Sequence, residues 1–403
     1  MAHEERFAET VTRFDPPVHH HLLIRAPNGE FLGTEDGREL AVFDHADDKT
    51  VWDATAGGYR HVVTGLTIDA DPKGDGACRV RLGGGLVGAD GSLSEAGAPF
   101  APGHGPEKLP SESLREFRAN GWVCLTSILA PETIDELHRV SCTGPYADHE
   151  FDRSRQPLSQ TPALARQAVE PVSLWLLREY MGTNNIRLGH TPSFAILGRD
   201  DGARDVQGWH SDFPYLWGIG GRANGGGRIP VVPGDIVLGV QRNVCVSEFT
   251  KEGGATAFKL GSHALNSGPP EDWGTGNTYA RRGYRKTHGL PYNGPDADIV
   301  EAPPGSIILY DSRTWHRAGV NRTEVRRAAI LQAMIPGYVM PFFDTSGAYK
   351  AFRASPAHDQ LDEQERREFQ ELMVHKIGGQ AAITTDRELT ELTRDSNQPA
   401  SAY

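Results

Sequence analysis

Short apolar runs separated by turn residues dominate the first hundred positions of the chain. Asn-Gly and Asp-Gly pairs interrupt the segments HHHLLIRAPNGEFLGTEDGRELAVFD and CRVRLGGGLVGADGSLSE. Such pairs favour tight turns between antiparallel strands, because they tolerate the positive φ angles that these turns require. The pattern predicts a β-rich N-terminal region over 1–105. FLGTEDG at 31–37 resembles LVGADG at 86–91 weakly, so an internal repeat stays open. The region's role as a lid, a dimerisation face or a binding module stays open too.

Helical spacing replaces this pattern after a Pro- and Gly-rich stretch. PFAPGHGPEKLP at 99–110 is typical of a linker, and we place a domain boundary near residue 105. Ser113 and Glu116 have the spacing of a capping box before an amphipathic run that ends at Gly121. The same criteria predict two further helices, one beginning at Pro131 and one over 171–182.

Apolar segments rich in Ile, Val and Leu follow the helices. They cover 186–198, 235–246, 254–260, 305–311 and 327–335. Helices followed by a run of strands favour a mostly β fold with flanking helices, in which a barrel or sandwich packs against helices on one side. We assign this domain to 106–345. The charged segment that follows predicts a C-terminal helical extension over 346–403.

Two stretches between the predicted strands have the composition of loops. GIGGRANGGGRIPVVPG at 218–234 is longer than most connections in compact domains, and such loops are usually functional or disordered. YARRGYRK at 279–286 is a basic cluster. It would suit a lid or a contact for an anionic group, although a solvated loop is the simpler interpretation.

Composition narrows the class of protein. The chain has 403 residues and a formal net charge of −12, without a basic run or an apolar stretch near the roughly 20 residues that span a bilayer. We therefore expect neither a nucleic-acid partner nor a membrane partner. The 4 cysteines are scattered, as in reduced thiols, and the N-terminus lacks a secretory signal, so we expect a cytoplasmic location. The oligomeric state stays open and is compatible with a homodimer.

The segment GWHSDFPYLWG at 208–218 suggests a metal site. It places His210 and Asp212 two residues apart, and on an extended segment such residues point to the same side. His316, a few residues after the predicted strand GSIILYD, is a candidate third ligand. Two histidines and one carboxylate on one face leave three octahedral positions open. That arrangement is typical of non-haem Fe(II) oxygenases.

The same pattern also arises by chance in a chain with 16 histidines. His190 and His263 are interpreted as polar residues that brace strands. The three consecutive histidines at 19–21 look metal-binding. On a strand, however, neighbours point to alternate faces, so we interpret them as structural or surface residues.

An arginine supports the metal interpretation. Arg327 follows His316 by 11 residues, at the head of an apolar strand. A buried guanidinium near a metal can hold a carboxylate through two parallel hydrogen bonds. Its neighbour Arg326 points to the other face of an alternating strand and is expected in solvent.

Several motifs occur in the order in which one enzyme family carries them. They are LREFRANGWVCLTSILAPETIDEL, WHSD, GGATAFKLGSH and WHRAGVNRTEVRR. From about 111 to 337 the chain resembles the phytanoyl-CoA dioxygenase family, which are Fe(II)- and 2-oxoglutarate-dependent oxygenases. The resemblance implies a double-stranded β-helix of the jelly-roll, cupin-like kind.

The resemblance also implies roles for individual residues. His210, Asp212 and His316 would bind Fe(II), and Arg327 would bind the distal carboxylate of 2-oxoglutarate. Thr256 would direct its hydroxyl towards the same co-substrate. Two positions depart from the family pattern, because Ala318 replaces a serine of some relatives and Leu260 replaces the usual proline before Gly-Ser-His. Neither is a metal ligand.

The reaction implied by the resemblance couples O2 and 2-oxoglutarate to attack on an unactivated C–H bond of a small metabolite. Succinate and CO2 are released, and the metabolite is hydroxylated or desaturated. Halogenating relatives lack the carboxylate ligand so that chloride can bind the iron, and Asp212 therefore disfavours halogenation. Candidate substrate contacts are Trp209, Tyr215, Arg313 and Arg317, although core or loop positions are the simpler interpretation.

Two other functions stay open. A non-catalytic barrel would bind a partner with zinc or no metal, but it would have no use for a co-substrate arginine. A zinc-dependent hydrolase or isomerase would use the same three ligands without O2.

Overall fold

The computed structural model describes residues 9–73, 76–150, 156–219, 236–274, 283–290 and 296–374. The first strands are β1 (Glu9–Arg13), β2 (Leu22–Arg25), β3 (Phe31–Gly33), β4 (Ala41–Phe43), β5 (Val51–Ala54), β6 (Gly58–His61), β7 (Thr67–Pro72), β8 (Cys78–Leu82), β9 (Gly85–Val87), β10 (Leu93–Ser94) and β11 (Pro99–His104). The later strands are β12 (Trp122–Leu125), β13 (Ile186–Leu188), β14 (Phe194–Leu197), β15 (Val240–Cys245), β16 (Ala257–Lys259), β17 (Ala297–Glu301), β18 (Ile307–Asp311), β19 (Trp315–Arg317) and β20 (Arg327–Pro336).

Helices flank these strands. They are α1 (Pro110–Asn120), α2 (Pro131–Ser141), α3 (Ala163–Ala168), α4 (Pro171–Met181), α5 (Tyr284–His288), α6 (Ser346–Arg353), α7 (Pro356–Asp359) and α8 (Glu363–Met373). Within the described residues, no helix combines the length and the apolar character needed to cross a bilayer. Most of the Gly-rich stretch, the first half of the basic cluster (279–282) and the chain after residue 374 lie outside the described residues.

Two sheets form the centre of the molecule. The large sheet has the order β12-β18-β15-β20-β13, and β14 also pairs with β20. The small sheet has the order β1-β17-β16-β19, and a bridge between His210 and His316 extends it. From β14 to β20 the chain passes back and forth between the two sheets, which is the winding of a double-stranded β-helix. The predicted mostly β fold with flanking helices is confirmed.

Strand β15 contributes side chains to two hydrophobic clusters, one on each face of the large sheet. Val240 and Val244 point to one face, into the hydrophobic cluster that includes α1, α3 and α4. Cys245 points to the other face and belongs to a second cluster, between the two sheets. Side chains alternate along a strand, so Gln241 and Asn243 share the face of Cys245. This polar pair therefore faces the space between the sheets.

A buried arginine ties the large sheet to the helices. Arg242 donates to the carbonyl of Ala168 at 3.1 Å, to Gln332 Oε1 at 3.1 Å and to Ser173 Oγ at 2.8 Å. Burial lowers the pKa of Arg242 to about 10, and the charge of Glu170 opposes that shift. This arginine holds the layers together and lies on the opposite face of β15 from Gln241 and Asn243.

The N-terminal strands form a second β structure, which is closed. Its pairs run β2-β5-β6-β7-β8-β11, and β11 pairs back onto β2. This ring, called the N-terminal barrel below, leaves no free edge among its members. Its interior is filled by apolar side chains that include Ile24, Trp52, Ile68, Val80 and Phe100. The predicted β-rich character of the region is confirmed.

The N-terminal barrel packs against the helices. Leu23, Phe31 and Val51 belong to the same hydrophobic cluster as the helical side chains. Arg25 Nη1 lies 3.2 Å from the carboxylate of Asp362, the residue before α8. Strand β1 does not join the barrel, because it pairs in parallel with β17 of the small sheet. The start of the chain therefore contributes to the jelly roll.

Two local predictions were wrong. Residues 99–104 are not part of a linker, because they form β11, which pairs with both β2 and β8. The capping box at Ser113 does not form. Helix α1 begins earlier, at Pro110, whose fixed φ suits the first helical position, and Ser113 is buried inside the helix. The predicted helix end at Gly121 is confirmed by its left-handed φ of 71°.

Candidate active site

A short backbone pairing brings the H-x-D segment beside strand β19. The amide of His210 donates to the carbonyl of His316 at 3.0 Å, and the amide of His316 donates back at 2.9 Å. Two residues on, the amide of Asp212 donates to the carbonyl of Ser312 at 3.0 Å. The side chains of His210 and Asp212 therefore leave the segment on one side, towards that of His316.

The three side chains converge on one point. Asp212 Oδ1 lies 3.5 Å from His210 Nε2, and Asp212 Oδ2 lies 3.1 Å from His316 Nε2. His210 Nδ1 lies 2.8 Å from the carbonyl of Gly208, and His316 Nδ1 lies 3.0 Å from that of Thr314. A carbonyl only accepts hydrogen bonds, so both Nδ1 atoms carry the proton. The Nε2 atoms of both rings therefore point inwards at Asp212, and their lone pairs become available to a metal ion when these atoms lose their protons.

The electrostatics of the cluster favour a charged carboxylate. Burial raises the pKa of Asp212, but the charge of His316 and the bonds from both imidazoles outweigh burial, and the pKa lies well below its usual range. Tyr310 OH donates to Asp212 Oδ2 at 3.1 Å. Burial and the charge of Asp212 raise the pKa of Tyr310, so the phenol keeps its proton. Once a cation displaces the protons that the Nε2 atoms share with Asp212, two imidazoles and one carboxylate form a donor set that fits a divalent ion.

Arg327 begins β20 and lies nearby in a largely apolar setting. Its Nη2 donates to the carbonyl of Gly254 at 2.8 Å, and its guanidinium lies 4.7 Å from the ring centroid of Phe249. Its Nε is buried without a hydrogen-bond partner among the described residues. Burial lowers the pKa of Arg327 to about 10. The guanidinium thus has donor capacity left for an anion.

One cavity connects these groups. It has a volume of about 1040 Å³, and its lining includes His210, Asp212, His316, Arg327 and Thr256. Ligand sites in proteins are typically clefts of roughly 300–1,000 Å³. The structure therefore brings together the five residues that the sequence analysis assigned to iron and 2-oxoglutarate.

The four candidate substrate contacts divide. Arg317 lines the cavity, where its Nη2 donates to Glu9 of β1 at 2.8 Å. Trp209, Tyr215 and Arg313 are not among the described residues of the lining. Trp209 and Tyr215 are buried core aromatics, and Arg313 makes two bonds to the buried carboxylate of Asp311, at 2.9 and 2.7 Å. These three side chains pack in the core or pair with Asp311, and substrate contact by them stays a prediction.

Sequence reasoning missed several polar residues of the lining, among them Gln241, Asn243 and Tyr310. Asn243 Nδ2 lies 3.4 Å from Thr256 Oγ1, and Gln241 pairs across the sheet with Tyr310. A signal was present. Gln241 and Asn243 stand two apart within the apolar run DIVLGVQRNVCV, and a strand exposes such a pair on one face.

The family profile described as phytanoyl-CoA dioxygenase (PhyH) matches residues 117–329. The chain belongs to the phytanoyl-CoA dioxygenase family. The match covers the large sheet's first strand, the H-x-D segment, β19 and Arg327. The resemblance inferred from the motifs is thereby confirmed.

The chain is also similar to one individual dioxygenase. Dioxygenase cdmA of Talaromyces verruculosus is 29% identical over 110 residues, which is 27% of this chain and 30% of that protein. Less than a third of that relative is therefore spanned.

Two solved structures also align with the chain. HygX from Streptomyces hygroscopicus, with nickel and 2-oxoglutarate bound, is 18% identical over 58% of this chain and 90% of that one, with a TM-score of 0.41. The epimerase SnoN from nogalamycin biosynthesis is 17% identical over 57% of this chain and 83% of that one, with a TM-score of 0.38. Both likenesses are low, and the family assignment rests on the profile match.

Proposed function

We propose that this member of the phytanoyl-CoA dioxygenase family is an Fe(II)- and 2-oxoglutarate-dependent dioxygenase. It hydroxylates or desaturates an unactivated C–H bond of a small molecule and releases succinate and CO2. One observation carries the proposal. Two imidazoles, a carboxylate and an arginine with donor capacity left all line the same cavity.

The metal would be held by His210, Asp212 and His316. Their ligand atoms lie within 4.8 Å of one another, so a single ion can touch all of them. Bound Fe(II) with 2-oxoglutarate supplies oxidising power that no side chain has. The protein's part is to fix the ligands. The carbonyls of Gly208 and Thr314 hold both imidazoles by their Nδ1 protons, and Tyr310 holds one oxygen of Asp212.

The co-substrate would be held by Arg327, with Thr256 beside it. A guanidinium presents a fork of N–H donors that matches a carboxylate, and burial strengthens such a pair. Thr256 Oγ1 lies 3.4 Å from Asn243 Nδ2, so the hydroxyl and the amide form a polar edge of the same cavity. A dicarboxylate would thus find one charged anchor and one polar edge.

The substrate would occupy the rest of the cavity, which combines apolar and polar walls. Phe194, Ile196 and Leu331 provide apolar surface, while Arg204 and Gln207 provide hydrogen-bond donors. A small molecule with both apolar and polar groups suits this lining better than a fully apolar one.

The first experiment is anaerobic. Fe(II) and then 2-oxoglutarate are added to metal-free protein, and the weak visible charge-transfer band of a chelated keto acid is recorded. We expect the band in the parent chain and its loss in Asp212→Ala. Well-folded protein that shows no band would contradict the proposal and favour a zinc hydrolase or a binding protein. Once the band is present, substrates are found by screening for stimulated succinate release under O2.

A further inference from the structure

A second group of two histidines and one aspartate lies on the outside of the N-terminal barrel. Asp53 Oδ1 is 3.0 Å from His19 Nε2 and 2.6 Å from His21 Nδ1. The three ligand atoms lie within 4.8 Å of one another. We call this group the barrel cluster. The sequence analysis interpreted its histidines as structural or surface residues, without the carboxylate that the structure places between them.

The strand register produces this arrangement. Leu22 pairs with Trp52 and Leu23 pairs with Val51, so the next position along places His21 opposite Asp53. His19 stands two residues earlier on the same extended segment and shares the face of His21.

The middle histidine of the tract points the other way. His20 Nδ1 lies 3.1 Å from the carbonyl of Gly105, and its ring centroid is 4.2 Å from that of His104. These contacts hold the extended segment against the end of β11, so the positions of His19 and His21 are fixed by the fold. Only the outer two histidines reach Asp53.

We propose that His19, His21 and Asp53 bind one zinc ion, with water as its fourth ligand. Two imidazole nitrogens and one carboxylate oxygen are a common zinc donor set. Tetrahedral ligands at ~2.0–2.1 Å from zinc lie about 3.3 Å apart, so the separations of 3.0 and 2.6 Å need to open by about 0.3 and about 0.7 Å. Side-chain exposure is 62% at His19 but 15% at His21 and 20% at Asp53, which leaves one open side for the water.

A neighbouring arginine leaves this site available. Arg60 pairs with Asp53 across β5 and β6, and its Nη2 lies 3.5 Å from Asp53 Oδ2. It therefore contacts the oxygen that the histidines do not use. The Arg60 side chain is 57% exposed, so it can turn towards solvent when a cation binds.

The position of the barrel cluster suggests what zinc would do. Residues 14–21 connect β1, which belongs to the small sheet, with β2 of the barrel. An ion held by this connector and by Asp53 on β5 would fasten the connector to the barrel wall. A metal ion that binds only the folded state of a protein stabilises that state. The ion would be structural.

The test counts zinc ions. The full chain without an affinity tag, carrying Asp212→Ala and His316→Ala to remove the other triad, is stripped of metal and dialysed against limiting Zn²⁺. We expect one equivalent bound. Adding His19→Ala and His21→Ala should abolish it, and so should the isosteric change Asp53→Asn. His20→Gln is the matched control, because its amide can keep the bond to Gly105, and it should still bind one equivalent.

Two outcomes would overturn the proposal. Unchanged zinc content after His19→Ala and His21→Ala would show that the ion is elsewhere. Loss of zinc in His20→Gln to the same degree would show unspecific binding by a histidine-rich segment. Melting gives a second measurement that needs no ion count. Zn²⁺ should raise Tm by a few degrees in the His20→Gln chain and leave the folded Asp53→Asn chain unmoved.

Discussion

The jelly roll and the N-terminal barrel each carry two histidines and one aspartate with similar spacing. In the jelly roll, His210 and His316 are buried and face a cavity of about 1040 Å³. In the barrel, His19 is mostly exposed, and none of its cluster is among the described residues of that cavity. The ligand sets are the same, but their surroundings differ.

This difference teaches that ligand identity does not decide the chemistry of a metal site. The two clusters differ in whether a cavity lies beside the ligands and whether a further group in that cavity can bind a reactant. Arg327 lies in the same cavity as the jelly-roll triad, whereas Arg60 in the barrel pairs with the oxygen of Asp53 that the histidines leave free. A site for reaction needs a place for reactants beside its open coordination positions, and a site that only stabilises the fold does not.

The strongest way to sharpen the comparison is to remove the carboxylate of the jelly-roll triad. Mutating a residue that only supports a metal ligand typically lowers metal affinity or activity by roughly 10- to 100-fold. Asp212→Ala should therefore lower 2-oxoglutarate turnover by more than about 100-fold. Succinate release measures this, and circular dichroism checks that the fold persists. Full turnover in the variant would show that the triad is misassigned.

Arg327 should show the next largest effect. Removing one partner of a buried charge pair costs about 2–5 kcal/mol, so Arg327→Ala should raise the KM for 2-oxoglutarate by roughly 30-fold or more. Fe(II) affinity should change little, because the guanidinium is no ligand. Arg322→Ala removes an exposed arginine five positions away and is the control. Equal losses of iron and co-substrate binding in Arg327→Ala would indicate a structural role.

Tyr310 tests how the triad is supported. Tyr310→Phe removes the hydroxyl that donates to Asp212, and we expect Fe(II) affinity to fall by about 10-fold, the low end for such supports. Tyr180→Phe is matched, because Tyr180 OH donates at 3.1 Å to Asp311, which is not a ligand. Equilibrium dialysis with Fe(II) under nitrogen measures both. Similar iron affinity in the two variants would speak against a role for the phenol.

Glu9 should have a smaller, pH-dependent effect. Burial alone would raise its pKa, but bonds from Arg317 and Lys251 outweigh burial and lower it below the ordinary value of 4.5. The pairing therefore stabilises the fold above pH 4.5 and is lost as pH falls through the lowered value. Glu9→Gln should reduce the free energy of unfolding by about 1–2 kcal/mol at neutral pH.

Urea titrations across pH measure this difference, which should shrink in acid. Glu35→Gln, which breaks an exposed pair with Lys49, should cost less than about 1 kcal/mol. A Glu9 effect that is independent of pH would contradict the ion-pair explanation.

The smallest expected effect separates the two clusters most directly. Asp53 is not among the lining residues of the cavity. Asp53→Asn should therefore leave kcat and KM for 2-oxoglutarate unchanged within about two-fold. A large loss of turnover would break the comparison, because the barrel cluster would then act on the reaction. Steady-state succinate release measures it.

The order of elements could be predicted because each has a local cause. Helix α1 ends at Gly121, and α4 ends at Gly182 with a left-handed φ of 66°, which a glycine tolerates without strain. Strand β11 was missed, since its two prolines and its glycine resemble a linker. It forms because β2 and β8 offer it partners that are distant in sequence.

The candidate site shows a similar limit. His210 and Asp212 could be found because two residues of one segment share a face. Whether Arg313 or Arg317 meets the cavity depends on their partners, Asp311 and Glu9, and one of these lies more than 300 positions away along the chain. Local patterns carry no information about such partners.

The parallel pairing of β1 with β17 limits how the two parts of the chain can be exchanged by recombination. Glu9 on β1 reaches Arg317, the residue next to a proposed iron ligand, although the N-terminal barrel lies between them in sequence. A recombination event that replaced the first hundred residues would also remove an edge strand and a charge partner from the jelly roll. The barrel and the jelly roll should therefore travel together through evolution, and exchanging the barrel would require keeping the first strand in place.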